Sequence, residues 1–346
     1  MFKTATRVAA LLAVAILSGT AVAQPAAAGS GRAASTEPVL SLSKVSAQDF
    51  PRKTLRLVAT SSPGSPVDLF ARAIADPLAK TFAQSVIIDN RVGAGGTLAA
   101  GIVLQAEADG HVMMVNTSAQ VVAPFMYRQL PFDMLRDFAA VAPLAIQPNV
   151  LVVSPQHSWK SVQDLIAAAK AKPKGLSYGT GGSGTGTHMN AERFRLRAGI
   201  EAVQVPYKGS PEALVDVIAG RIDWSFLPVS TALAHMSDGR IRALALSGER
   251  RSLKLPDLPT IAESGLSDAD FPFWVGVFVS SKTPRGIIQR LHAEIAKATA
   301  LPDVRKRIDN LGAEPMSMTM AEFDKYVRAQ ADIAAAIIKA ANIQAN

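Results

Sequence analysis

Short apolar runs alternate with amphipathic stretches along almost the whole chain, and this alternation is the strongest constraint on the fold. Leu55-Arg56-Leu57-Val58-Ala59 reads as a strand that stops at Ser61-Ser62-Pro63-Gly64-Ser65-Pro66. Val67, Phe70, Ile74, Leu78 and Phe82 then recur every three or four residues, the stripe of an amphipathic helix. Pro77 is expected to kink or split that helix, because proline lacks the N–H and crowds the preceding turn. Val86-Ile87-Ile88 is the next strand, and Gly93-Ala94-Gly95-Gly96 opens a helix that ends before Asp109-Gly110. Strands at Val112–Val115, Val150–Val153, Leu176–Tyr178 and Ala202–Val205 continue the pattern. Between them Ser161, with Asp164 three residues on, caps a helix through Lys170, and another helix opens near His188. Ser210 caps and Pro211 starts a further helix that Gly220 closes. From Pro284 onward the chain reads as helical and is expected to pack on the outside. Such alternation implies parallel sheets covered by helices on both faces.

The 346 residues suggest two domains at about 150 residues each. With 49% hydrophobic and 18% charged residues, the chain can fill two α/β lobes and is not a mostly disordered one. Cysteine is absent, which excludes disulfides, thiolate nucleophiles, cysteine-ligated metals and a lipid anchor on an N-terminal cysteine. Lys3 and Arg7, the apolar run Val8–Leu17 and Ala21-Val22-Ala23 read as a secretory signal over residues 1–23, with maturation at Gln24. The competing reading is an uncleaved anchor. Residues 24–49 are small, polar and aperiodic, a flexible linker. Removing Lys3 and Arg7 lowers the formal charge from +8 to +6. The remaining basic residues are scattered, and Arg305-Lys306-Arg307 sits beside Asp303 and Asp309, as on a solvated face. No nucleic-acid partner is expected.

In open α/β sheets, ligands bind beyond the carboxyl ends of strands, where loops lead into helix N-termini. Three such loops are dense in small residues: Thr60 to Ser65, Asn116 to Ser118, and Thr180 to Thr187. Their backbone N–H groups, their hydroxyls and roughly half a positive charge at each helix N-terminus would form an anion-binding surface without arginine. Gly179, Gly181 and Gly184 also match G-x-G-x-x-G, but residues 204–207 supply no carboxylate for a ribose, so no dinucleotide or other cofactor is expected. No G-x-S-x-G elbow and no H-E-x-x-H pair occurs, and the five histidines are isolated. His188, starting the helix behind the glycine-rich loop, is the one candidate for ligand contact or for a base. With a nearby serine it would allow an exported hydrolase acting on a carboxylate ester. Asp68 admits two readings, a ligand contact or a first-turn carboxylate stabilised by the helix dipole.

Several short motifs, in order, carry a resemblance: Asp89-Asn90-Arg91 with Gly93-Ala94-Gly95-Gly96; Leu130-Pro131-Phe132-Asp133; Tyr178-Gly179 through His188; Val205-Pro206-Tyr207-Lys208-Gly209; and Leu258-Pro259-Thr260 with Glu263-Ser264-Gly265. From about Arg52 to Ile343 the chain resembles the Bug-type extracytoplasmic solute receptors, the binding-protein component of tripartite tricarboxylate transporters. The resemblance implies a periplasmic, two-lobed, type II binding-protein architecture with mixed, mostly parallel sheets and a ligand cleft between lobes. Lobe I would comprise residues 50–147 and 270–346, and lobe II residues 148–269. It implies no catalysis and no metal, a monomer, and a small organic acid passed to transporter subunits in the membrane; a signalling partner is the alternative. The ligand positions it carries over are Ser61, Ser62, Gly64, Ser65 and Asp68; Thr117 and Ser118; Thr180, Gly182, Ser183, Thr185, Thr187 and His188; Tyr207 and Lys208; and Pro228 and Trp274. Two departures stand out. Ser61 replaces an aromatic wall, and Leu227 replaces an aspartate, so a ligand bearing an ammonium group is expected to be disfavoured.

Overall fold

In the computed structural model, residues 49–127, 129–248 and 250–343 are described; the expected signal peptide, and the linker up to residue 48, lie outside them. The chain opens with β1 (Leu55–Ala59), α1 (Pro66–Phe82), β2 (Val86–Asn90), a 3-10 turn (Ala94–Gly96), α2 (Thr97–Gln105), β3 (Val112–Thr117), α3 (Ala119–Met126) and β4 (Phe138–Gln147). It continues through β5 (Asn149–Val153), α4 (Val162–Ala171), β6 (Ser177–Thr180), α5 (Gly186–Ala198), β7 (Val203–Pro206), α6 (Ser210–Ile218), β8 (Trp224–Pro228), α7 (Val229–Ser237) and β9 (Arg242–Ser247). The last elements are β10 (Phe273–Ser280), α8 (Arg285–Ala300), α9 (Pro302–Asn310), β11 (Glu314–Pro315) and α10 (Met320–Ala340).

Two sheets result. The first has the order β11-β4-β10-β3-β1-β2 and the second β7-β6-β8-β5-β9. In the first, β1 lies between β2 and β3, all parallel, with Leu57 opposite Ile88 and Met113. In the second, β6 lies between β7 and β8, again parallel, with Gly179 opposite Val205 and Ser225. The sheets are mixed, but the expectation that they are mostly parallel needs correction. Strand β10 runs antiparallel to both β3 and β4, and β5 antiparallel to both β8 and β9. These are strands on which the chain passes from one sheet to the other, and reversed strands make that passage short.

Each sheet is covered on both faces. Leu57, Phe70, Ile74, Val277 and Leu291 pack on one side of the first sheet; Val58, Met114, Trp274, Phe278 and Phe323 pack on the other. Leu151, Phe194 and Trp224 fill one side of the second sheet, and Val150, Leu214 and Leu227 the other. Burying each such side chain contributes about 1.5–3 kcal/mol.

Helix α1 runs unbroken through Pro77. Proline costs it one hydrogen bond, but Phe70, Ala73, Ile74 and Leu78 are all buried on the core side, and that packing holds the helix together. Side chains cap several helix starts, the one at Ser161 as expected. Ser65 accepts from the Asp68 N–H, and Ser161 and Asp164 form a reciprocal capping box. At α6 the expectation shifts by one residue. Gly209 is the cap and Ser210 the first helical residue, with no side chain bonding the helix start.

Candidate functional site

A cavity of about 550 Å³ lies where loops of the two sheets meet. Five of the loops around it follow the parallel strands β1, β2, β3, β6 and β7, and each leads into a helix N-terminus. Thr60, Ser61, Ser65 and Val67 come from the first; Val92 to Gly96 from the second; Thr117, Ala119 and, at the far end of α3, Tyr127 from the third. Gly181, Gly182, Ser183, Thr185 and Thr187 come from the glycine-rich loop, and Pro206, Tyr207, Lys208 and Ser210 from the turn before α6; Phe273 completes the wall. The first-turn amides of a helix have no partner within it, and the dipole adds positive potential there.

The loops are held by bonds among themselves. Asn116, fully buried, accepts from the Thr60 hydroxyl (3.0 Å) and donates to Gln120 (2.9 Å); Asn90 donates to the Ser61 carbonyl (2.9 Å). In the glycine-rich loop the Gly181 N–H donates to Thr187 Oγ1 (3.0 Å), and the Thr185 hydroxyl donates to the Gly182 carbonyl (2.7 Å). Loops of the two sheets touch around the cavity. A Cβ at Gly209 would stand 2.4 Å from Ser62 Oγ, and one at Gly186 would stand 2.4 Å from Ser118 Oγ. The Ser62 hydroxyl donates across this seam to Glu212 (3.3 Å).

What remains uncommitted is the site's chemistry. Among the described residues, no protein group bonds the hydroxyls of Ser61, Ser183 and Ser210 or the ammonium of Lys208. Among the described residues, no aspartate, glutamate, arginine or histidine lines the cavity. Such a lining suits a small anion, held by amides and hydroxyls.

Comparison with known proteins agrees. Residues 70–343 match the model of the tripartite tricarboxylate transporter family receptor. The chain belongs to this receptor family. The protein encoded in the tcbD–tcbE intergenic region of Pseudomonas sp. strain P51 is 37% identical over 264 residues, covering 76% of this chain and 79% of that one. The structure of R. palustris Rpa4515 with adipate is similar at a TM-score of 0.83 and 31% identity, covering 86% of this chain and all of that one. MatC from Rhodopseudomonas palustris with bound malate reaches a TM-score of 0.78 at 27% identity, covering 84% of this chain and all of the other. The protein is thus a solute receptor and not an enzyme.

The receptor's cavity gathers Ser61, Ser65, Thr117, Gly182, Ser183, Thr185, Thr187, Tyr207 and Lys208. It leaves out eight other expected positions. Gly64 donates its N–H to Asp68, and Asp68 also receives Arg72 (2.9 Å). Burial pushes the Asp68 carboxyl up, yet the Arg72 guanidinium and the Gly64 N–H outweigh it and hold the group below its ordinary range. Asp68 is thus bonded within its own loop and first helical turn, and it does not line the cavity. Ser62 is spent on Glu212, Ser118 is fully buried against Gly186, and Thr180 is fully buried, accepting from Gln204. Pro228 ends β8 opposite Asn149, inside the second sheet.

Trp274 is fully buried against Phe323, with ring centroids 5.9 Å apart, and Tyr326. Its neighbour Phe273 lines the cavity, because successive strand residues point to opposite faces. Leu227 likewise lies in the core on one face of the second sheet and does not line the cavity.

His188 faces away from the cleft, into a second cavity of about 450 Å³ behind the glycine-rich loop. Its Nδ1 accepts the Gly184 N–H (3.1 Å), and burial pulls its pKa down to about 4, against the raising influence of Glu192. It is a neutral clasp for the loop, and among the described residues no serine bonds its ring. Glu192, also nearly buried, accepts from the Tyr178 hydroxyl and from Arg195 (2.8 Å). Burial raises the Glu192 carboxyl, but Arg195 and Tyr178 keep it ionised below its ordinary range. His157 is no base for a serine either. It meets Asp223 (3.0 Å), and the Ser177 hydroxyl donates to that same carboxylate (3.0 Å).

Sequence reasoning missed the loop after β2, with Tyr127 and Phe273. For the loop the signal was present: Gly93-Ala94-Gly95-Gly96 is as bare of side chains as the loops that were chosen.

Proposed function

We propose that this receptor captures a small organic carboxylate in the periplasm and passes it to membrane subunits of a tripartite tricarboxylate-type transporter. The observation that carries this reading is the cavity itself. Five helix N-termini surround it; among the described residues the hydroxyls of the lining Ser61, Ser183, Ser210 and Tyr127 have no protein partner, and no acidic side chain lines it. A carboxylate there gains amide and hydroxyl partners without displacing an existing ion pair. Plain carboxylates bound to similar proteins, adipate in Rpa4515 and malate in MatC, support the class. A ligand carrying an ammonium group would find no carboxylate partner and is disfavoured.

The working unit is a monomer of two lobes, residues 50–147 with 270–346 and residues 148–269, exported by cleavage after Ala23. The lobes close on the ligand by a hinge at the strand crossings between the two sheets. Among the described residues no helix is long and apolar enough to cross a membrane. Titration calorimetry with adipate, malate and their amino-substituted counterparts tests the reading. Saturable binding of a plain acid, recovered unchanged, is the expected result; no binding across the acids, or their conversion to product, overturns it.

A further inference from the structure

We propose that Tyr127 limits the size of the acid this receptor accepts, because its ring walls the ligand cavity off from a neighbouring cavity of about 410 Å³. The inference rests on the carboxylate reading above and adds a role for one side chain. Tyr127 is the one described residue that lines both cavities. Beyond it the neighbouring cavity is largely apolar, with Pro124, Leu130, Pro131 and Phe132 in its wall. The charged residues there are already engaged. Arg136 pairs with Asp137 (2.9 Å), and Asp133 accepts from the Leu135 and Arg136 N–H groups.

The ring is placed by its contacts. A Cβ at Gly95 would stand 3.3 Å from Tyr127 Cε2, 3.4 Å from the Tyr127 hydroxyl and 3.3 Å from the Ser183 carbonyl oxygen. Gly95 and Ser183 both line the ligand cavity, so the tip of Tyr127 stands at its edge, where the turn after β2 approaches the glycine-rich loop. Gly95, at a φ of +61° and without a side chain, leaves the ring its room. Behind, Tyr127 packs with Leu130 and Phe132 on the core that holds Val122 and Met126, and its N–H donates to the Ala123 carbonyl (3.1 Å). Its hydroxyl has no partner among the described residues, and burial alone pushes the phenol pKa up. Packing, not a polar bond, therefore holds the ring.

A ring set between main chain on one side and core on the other cannot move aside without straining its neighbours. A short, unbranched acid leaves it in place. An acid with an apolar group on its chain must press the ring against Gly95 or the core, and loses affinity. With the ring removed, the same group passes into the apolar neighbouring cavity, where burial favours it. Tyr127 thus discriminates by bulk, and the phenyl ring rather than the hydroxyl does so.

The test is calorimetry on the purified receptor with adipate and malate, and with the same acids carrying a benzyl group on a chain carbon. The benzylated acids keep both acid groups and add an apolar body. The readout is the affinity for a benzylated acid divided by that for its parent, a ratio that a general loss of stability would not move. In the wild type it is expected to lie below about one tenth, and in Tyr127→Ala to be at least about tenfold higher. Tyr127→Phe keeps the ring and should hold the ratio within about threefold of wild type. Should Tyr127→Ala not fold, Tyr127→Leu, which retains an apolar contact with the core, serves the same comparison. A wild type that binds benzylated and parent acids equally, a ratio that does not rise when the ring is removed, or one that rises as far in Tyr127→Phe overturns the role of Tyr127 and leaves the carboxylate reading standing. A wild type that binds none of the four acids overturns the carboxylate reading, and this inference with it.

Discussion

The glycine-rich loop from Gly179 to Thr187 has one face toward the ligand cavity and another toward the second cavity, and Ser183 lines both. Behind the loop, Tyr178, His188, Glu192 and Arg195 are bonded to one another or to the backbone, and Glu192 and Arg195 are ionised. In front of it, among the described residues, there is no acid, one lysine, and hydroxyls that no protein group bonds. Charge is therefore used on the side where it can be fully paired, to give the loop a shape. Binding capacity is kept on the side where donors are left open. A reversible receptor needs this division, because a buried ion pair in the cavity would have to be broken each time a ligand entered.

The contrast is broken most directly at Glu192. Glu192→Ala strands the Arg195 charge and the Tyr178 hydroxyl in the interior, and should cost about 3–5 kcal/mol of stability. Urea unfolding measures it; a midpoint equal to wild type would show that the rear network does not hold the loop. Next comes pH. His188 is neutral when folded, with its pKa lowered from 6.5 to about 4, whereas the unfolded chain takes up a proton in that interval. Stability is therefore lost as pH falls from about 6.5 to about 4, by about 3 kcal/mol in all. The lowered Glu192 carboxyl acts in the same direction, its contribution fading as pH falls below the ordinary glutamate range. Unfolding of wild type and His188→Gln across this window separates the two, since only the first should show the steep part. The smallest effect belongs to the seam across the cavity. Ser62→Ala removes the bond to Glu212 and should weaken ligand affinity about twofold to fivefold, with stability changed by less than about 1 kcal/mol. A larger fall in stability than in affinity would mean that this bond serves the fold and not closure.

Much of the site was legible because its chemistry is local. Ser65, Thr185 and Ser183 stand at strand-to-helix turns, where small residues and hydroxyls accompany exposed amides, and the spacing alone marks such turns. Thr180, Ser62 and His188 share those turns and that composition, yet their polar atoms are consumed within the protein. No sequence pattern separates a hydroxyl that serves its own loop from one left for a ligand, because both satisfy the same capping preferences. The mismatch at Phe273 and Trp274 has another origin. All eight residues of β10 are buried, so the run is apolar throughout and carries no alternation to show which face looks into the cavity.

By itself the sequence determined the succession of strands and helices, the cap at Ser161, and the small, hydroxyl-rich composition of the loops at the strand ends. These follow from interactions within a few residues, which a chain segment carries wherever it goes. The tertiary structure decided that β10 enters antiparallel between β3 and β4, that Phe273 and not Trp274 reaches the cavity, that Asp68 and His188 turn inward, and that Gly209 packs against Ser61 and Ser62. Those outcomes depend on partners distant in sequence, and packing, not local preference, selects among them.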